Sequence, residues 1–169
     1  MKRVSVYLAL ALALGALLPL AVSAQTTPSS AAEAKPSHVD VQPGYFLERF
    51  AHGLDFPTAI AFSSDHIWVS EAGFLPGFAP KVKQLDLSGH ITTLLSATQL
   101  PAGKLLGPLT DVTFHDDWLW ITHRQKRVHG WAVGAISKFD PRHPVRSFTT
   151  VITNLPAAGD HYPEEIIFD

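Results

Sequence analysis

Cysteine is absent from the 169 residues, which excludes disulfide staples and thiolate metal sites. Charge is sparse too, at 17% of residues with a formal net charge of −2, so there is no basic field to attract nucleic acid or an anionic membrane. No Gly-x-Ser-x-Gly, P-loop or dinucleotide glycine pattern occurs, which argues against serine hydrolase, NTPase and Rossmann chemistry. His-x-x-x-His and His-Glu-x-x-His spacings are missing despite nine histidines. Outside the first residues, no segment carries helical periodicity for more than a turn or two.

What is present begins with a secretory signal. Lys2 and Arg3 precede an almost unbroken apolar run from Val4 to Leu20, and Val22-Ser23-Ala24 offers small residues for cleavage before Gln25. With no cysteine after the run, a lipoprotein anchor is excluded. The expected organisation is a signal peptide at 1–24, a flexible Ser/Thr/Ala/Pro-rich linker at 25–43, and a folded region at 44–169. Cleavage leaves a formal charge of −4, no stable membrane anchor, and a secreted or periplasmic location.

The folded region repeats itself. Pro57-Thr58-Ala59-Ile60-Ala61-Phe62 returns as Leu109-Thr110-Asp111-Val112-Thr113-Phe114, and again as Pro163-Glu164-Glu165-Ile166-Ile167-Phe168. Phe62/Phe114 and Trp68/Trp120 share one offset of 52 residues. Leu85-Asp86 matches Phe139-Asp140, and Gln99-Leu100-Pro101 matches Asn154-Leu155-Pro156, so the linkers repeat with the strands. A period near fifty built from short alternating runs is the mark of propeller blades. The fold class expected is therefore all-β: two β-propeller blades plus the first strand of a third.

The strands expected in the first blade are Thr58 to Phe62, Ile67 to Glu71, Lys81 to Asp86 and His90 to Leu95, after a short strand at Tyr45 to Phe50. The second blade is expected at Asp111 to Phe114, Trp118 to His123, Ala135 to Asp140 and Phe148 to Thr153. The repeated Phe and Trp residues fit either aromatic platforms for a ligand or packing between blades, and repetition favours packing. His115, His123 and His129 are the closest histidine group but lack ligand spacing, so no metal site is assigned. Arg124-Gln125-Lys126-Arg127 reads as a solvated charge run in a loop.

One segment escapes the repeat. Asn154 to Pro163 leads into the third copy and carries Asp160-His161, whereas the equivalent earlier loops hold Asp55-Phe56 and Gly107-Pro108. A histidine unique to one entry loop is where function grafted on a symmetric scaffold would sit. Such a loop opens toward a propeller's central channel, where a neutral imidazole could act as a general base. An exposed loop histidine remains the plainer reading from spacing alone.

Gly53-Leu54-Asp55-Phe56-Pro57, Ile67-Trp68-Val69-Ser70-Glu71, and Leu155-Pro156 followed by Gly159-Asp160-His161 resemble the glucose/sorbosone dehydrogenase family. That resemblance, over Gly44 to Asp169, implies a secreted or periplasmic six-bladed propeller using pyrroloquinoline quinone (PQQ), often with calcium. It also implies a small-molecule sugar or alcohol substrate, with His161 as the base that takes the hydroxyl proton. The chain departs from the family where Tyr162-Pro163-Glu164-Glu165 replaces a Gly and an Arg after the Asp-His pair. Further cofactor and calcium ligands would lie in later blades, so the chain is expected to be the N-terminal part of such an enzyme and inactive by itself. Two other functions stay open: a calcium-dependent lactonase or NHL-like propeller, and a non-catalytic binding module. The binding module would use the loops Ala72–Pro80 and Arg124–Trp131, with Phe74, Phe78 and Trp131 as contacts.

Overall fold

Alternating apolar side chains separated by turn residues fold here into two four-stranded antiparallel sheets. A computed structural model describes residues 39–127, 130–158 and 162–169. The first sheet contains β1 (Pro57–Phe62), β2 (Ile67–Glu71), β3 (Lys81–Leu85) and β4 (Ile91–Ser96), in that spatial order. The second contains β5 (Leu106–His115), β6 (Trp118–Lys126), β7 (Ala132–Phe139) and β8 (Thr149–Leu155), again in order. A four-residue helix, α1 (Pro144–Ser147), lies between β7 and β8. This is the blade architecture that the repeat implies.

Local chemistry sets each turn. Asp116 and Asp117 both take positive φ (48° and 63°) between β5 and β6, the backbone twist that suits a two-residue hairpin. Between β3 and β4, Asp86 accepts hydrogen bonds from Ser88 N and His90 N at 2.9 and 3.0 Å. Its repeat partner Asp140 accepts from Arg142 N at 2.9 Å before α1. The same aspartate thus caps the same turn in both blades.

The repeated aromatics join the blades. Phe114 stacks on Trp68 with ring centroids 4.7 Å apart, and one period later Phe168 meets Trp120 at 5.1 Å. Around Trp68 the core gathers Ala61, Val82, Leu95, Leu109, Val112, Leu119, Ile121 and Phe139. Phe114 against Trp68 and Phe168 against Trp120 are therefore packing contacts, while Phe62 stays exposed. A polar latch repeats beside them. Thr58 Oγ1 donates to Leu109 O at 2.8 Å while sharing a hydrogen bond with Ser70 Oγ, and Thr110 Oγ1 donates to Pro163 O while sharing one with Thr122 Oγ1.

Three expectations change in detail. Tyr45 to Phe50 forms no ladder, and Tyr45 and Phe46 are exposed. A strand needs a hydrogen-bonded neighbour, and none reaches this segment among the described residues. Residues 162–169, expected to open a third blade, lie in place without a ladder of their own. Arg124 to Lys126 belong to β6 rather than a loop, paired with Gly134, Val133 and Ala132, so only 127–131 connects β6 to β7.

The close approach of the blades also fixes a glycine. A Cβ on Gly107 would lie 2.2 Å from Gly73 O and 2.7 Å from Ala72 O, where Leu109 N donates to Ala72 O at 3.0 Å. Gly107→Ala is expected to lower unfolding stability by about 2 kcal/mol or more, because backbone must move to admit the methyl group. A urea midpoint equal to wild type would contradict that contact.

Candidate functional site

His161 and Asp160 fall within 159–161 and lie outside the described residues, as does His129. The chain on either side of them is described. Ala157 and Ala158 leave β8, and Tyr162 leads into Pro163. Pro163 packs against Gly134, where a Cβ would stand only 2.5 Å from Pro163 Cγ, so the glycine admits the incoming segment. With Thr110 Oγ1 holding Pro163 O and Thr122 Oγ1 holding Glu164 O at 2.8 Å, the exit of the loop is pinned to blade 2.

Beside this loop is a depression of about 320 Å³ lined by Arg124, Trp131, Ala132, Ala157, Ala158 and Tyr162. The Arg124 guanidinium lies 5.8 Å from the Tyr162 ring centroid, and one of its terminal nitrogens donates to Gly107 O at 3.5 Å. Its Nε is buried with no hydrogen-bond partner. Trp131, at the β6–β7 connection, is 90% exposed. A guanidinium beside the Tyr162 ring, in a depression that Trp131 also lines, suits a flat or saccharide ligand that carries negative charge or hydroxyls. Neither Arg124 nor Tyr162 stands out in the sequence, because the arginine reads as one member of a charge run. The other members are turned elsewhere: Arg127 donates twice to Asn154 Oδ1 (3.0 and 2.9 Å), and Gln125 bonds to Thr153.

Arg124 is held by the residue before it. His123 is buried, with Nδ1 2.7 Å from Arg124 O and Nε2 2.8 Å from Ser137 Oγ. Since a carbonyl only accepts, Nδ1 carries the proton and Nε2 accepts from Ser137. Burial holds the imidazole pKa down to about 4, so it is neutral at ordinary pH. Its equivalent in blade 1 is Glu71, also buried. Oε1 of Glu71 accepts from Asp55 N at 2.9 Å, and Oε2 makes no hydrogen bond but ion-pairs with Lys81 and Lys83 Nζ at 3.4 and 3.9 Å. Both blades therefore carry, at the same repeat position of their second strand, a buried titratable group that holds a backbone group. The repeat hides this in the sequence, because a glutamate and a histidine do not align by type.

The remaining histidine candidate lies apart. His115 stacks flat on Phe168 (4.0 Å, 1°) at the β5–β6 turn, while His123 is at the other end of β6. Among the described residues, no group of three or more His, Cys, Asp or Glu is placed to hold a metal ion. On blade 1, the exposed Phe74 and Phe78 both meet Phe56 edge-on, at 6.0 and 5.3 Å.

No known family pattern and no curated protein matches this sequence. Among solved structures, it is similar to the crystal structure of the soluble aldose sugar dehydrogenase from Escherichia coli in its apo form, with a TM-score of 0.50 and 21% identity. The match covers 68% of this chain and 35% of that one, so the chain spans about a third of that neighbour's length. At this identity the likeness is one of fold.

Proposed function

We propose that this chain supplies two blades of a secreted or periplasmic sugar-oxidising propeller, with an aldose or related alcohol as substrate and His161 as general base. The observation that carries the reading is the depression formed by Arg124, Trp131 and Tyr162 beside the one loop that breaks the repeat. The aldose dehydrogenase named for the similar structure has a blade fold of the same kind. The signal at 1–24 agrees with export.

Pyrroloquinoline quinone, implied by the family resemblance, is a flat ring system bearing carboxylates. The Arg124 guanidinium lines the depression and would meet a carboxylate by charge, and Tyr162 and Trp131 line it with aromatic rings, so the residues fit such a group. When bound, the quinone would supply the hydride acceptor. Within the chain itself, His161 would take the substrate's hydroxyl proton, Asp160 would orient the imidazole, and the aromatic rings would exclude water. Calcium, implied by the same resemblance, has no such set of ligands among the described residues, and no step is derived through it.

Quinone titration followed by tryptophan fluorescence tests the site. Arg124→Ala is expected to weaken binding about tenfold or more, the scale of one charge-assisted hydrogen bond. In the complete enzyme, His161→Ala is expected to lower kcat for aldose-dependent dye reduction by about 10²- to 10⁴-fold. Equal rates for variant and wild type would remove the base. A protein that does not bind the quinone would remove the dehydrogenase reading. That result would favour a non-catalytic binding module, for which the exposed Phe56, Phe74 and Phe78 cluster is the specific support.

A further inference from the structure

Where the β1–β2 turn meets the β5–β6 turn, the two blades enclose a second hollow. It measures about 450 Å³, within the range of small-ligand sites. Asp65 and His66 come from the β1–β2 turn, Gln84 from β3, Asp117 from the β5–β6 turn and Arg142 from the segment after β7. Trp68 and Phe114 line it as well. The hollow lies at the opposite end of the strands from the Arg124 depression. Trp118 opens β6 and Arg124 stands six residues on, roughly 20 Å away at about 3.3 Å per residue.

The polar groups of the hollow are held in place and unspent. His66 stacks on Trp68 (5.9 Å, 21°), which stacks in turn on Phe114 (4.7 Å, 27°), so the imidazole is one plate of a three-ring pile. Its Nδ1 lies 3.0 Å from Asp65 Oδ1, which keeps the proton of the neutral ring on that nitrogen and leaves Nε2 as an acceptor. Ser63 Oγ donates to the same Asp65 oxygen at 2.9 Å. Among the described residues, His66 Nε2, the Gln84 amide and the Asp117 carboxylate make no hydrogen bond. Arg142 gives Nε and Nη2 to Asp140 at 2.9 and 3.0 Å, which pairs its charge and leaves Nη1 as a donor.

Blade 2 holds different residues at these positions. Gln84 pairs with Trp68 across the sheet as Lys138 pairs with Trp120, and His66 stands where blade 2 has Trp118. The Lys138 ammonium lies 4.6 and 4.9 Å from the Trp118 and Trp120 ring centroids. Blade 1 has an amide and an imidazole in place of that cation and indole. Such a departure from the repeat serves one site rather than the scaffold.

We infer that this hollow binds a neutral saccharide. A sugar ring lies on the face of His66 turned away from Trp68, a side chain 35% exposed, and its hydroxyls meet Gln84, Asp117 and Arg142. Amide, carboxylate and guanidinium each present two polar atoms in one plane, which suits neighbouring hydroxyls. With Arg142 paired to Asp140, Asp65 and Asp117 leave the lining negative, so a uronate or phosphate is repelled. This site does not depend on the sugar-oxidation reading.

Calorimetric titration of the full chain with glucose, maltose and cellobiose tests it, with glucuronate as the charged comparison. At least one neutral sugar is expected to bind with a Kd of about 1 mM or tighter, and glucuronate more weakly than glucose. His66→Trp with Gln84→Lys installs the blade 2 residues and is expected to weaken binding about tenfold or more. Asp117→Asn, which tolerates the positive φ of 63°, is expected to weaken it about threefold or more. Arg124→Ala is expected to leave it unchanged. If the double variant loses its structure by circular dichroism, Asp117→Asn decides alone. No saturable binding of any neutral sugar up to about 20 mM, glucuronate binding more tightly than glucose, or full affinity in either folded variant would each overturn the inference. Affinity lost in Arg124→Ala and kept in the double variant would overturn it too, by moving the sugar to the other depression.

Discussion

Trp68→Ala is expected to cost about 3–5 kcal/mol of unfolding stability, a large part of what a domain of this size has. The indole is buried where the blades meet, stacked on Phe114 at 4.7 Å and surrounded by Ala61, Val82, Leu95 and Leu119. Two sheets built on their own turns cannot close over the void without sliding on each other, so the cavity persists. Phe114→Ala should cost nearly as much, since it removes the other half of the stack. By contrast, Phe62→Ala, at the same repeat position, should change stability by less than about 0.5 kcal/mol in dilute protein, because its ring is exposed. Urea unfolding followed by tryptophan fluorescence separates the cases. A Phe62→Ala loss as large as that of Phe114→Ala in dilute protein would mean that the outer face of blade 1 is covered in the monomer.

The second large effect depends on pH. His123 has a folded pKa of about 4 against an ordinary value of 6.5, because burial penalises the imidazolium. The unfolded chain binds this proton more readily than the folded one. The stability is therefore fully present above pH 6.5 and is lost as the pH falls toward 4, by about 3 kcal/mol at 1.36 kcal/mol per pH unit. His123→Gln, which keeps a donor and an acceptor for Arg124 O and Ser137 Oγ, should flatten the profile between those limits. A wild-type midpoint that stays constant from pH 6.5 to 4 would contradict a buried neutral imidazole.

How much was legible in advance follows from the range of each interaction. The offset of 52 residues between Phe62/Trp68 and Phe114/Trp120 announced the blade packing, since in a repeat each unit touches its neighbour with the same side chains. The strand boundaries beside Asp86, Asp116 and Asp117 were legible because the turns there depend only on local backbone and side-chain hydrogen bonds. Arg124 was misread as solvated, since nothing within a few residues shows that Tyr162, Gly107 and Trp131 converge on it. Tyr45 to Phe50 has the alternation of a strand but, among the described residues, no strand pairs with it. The kinship of Glu71 and His123 was invisible for the same reason: one is answered by two lysines, the other by a serine on β7.

By itself, the sequence determined the all-β class, the two-blade repeat, its aromatic seam and the one loop that departs from symmetry. Periodicity and turn chemistry are properties of neighbouring residues. Only the tertiary structure decided which repeated positions are covered and which are left open. Val112 is sealed by blade 1 while Ile60, its twin, faces outward. It likewise decided that Arg124 keeps an unspent donor beside Tyr162. Burial and hydrogen-bond satisfaction are set by what lies alongside, so equivalent repeat positions differ in cover among the described residues.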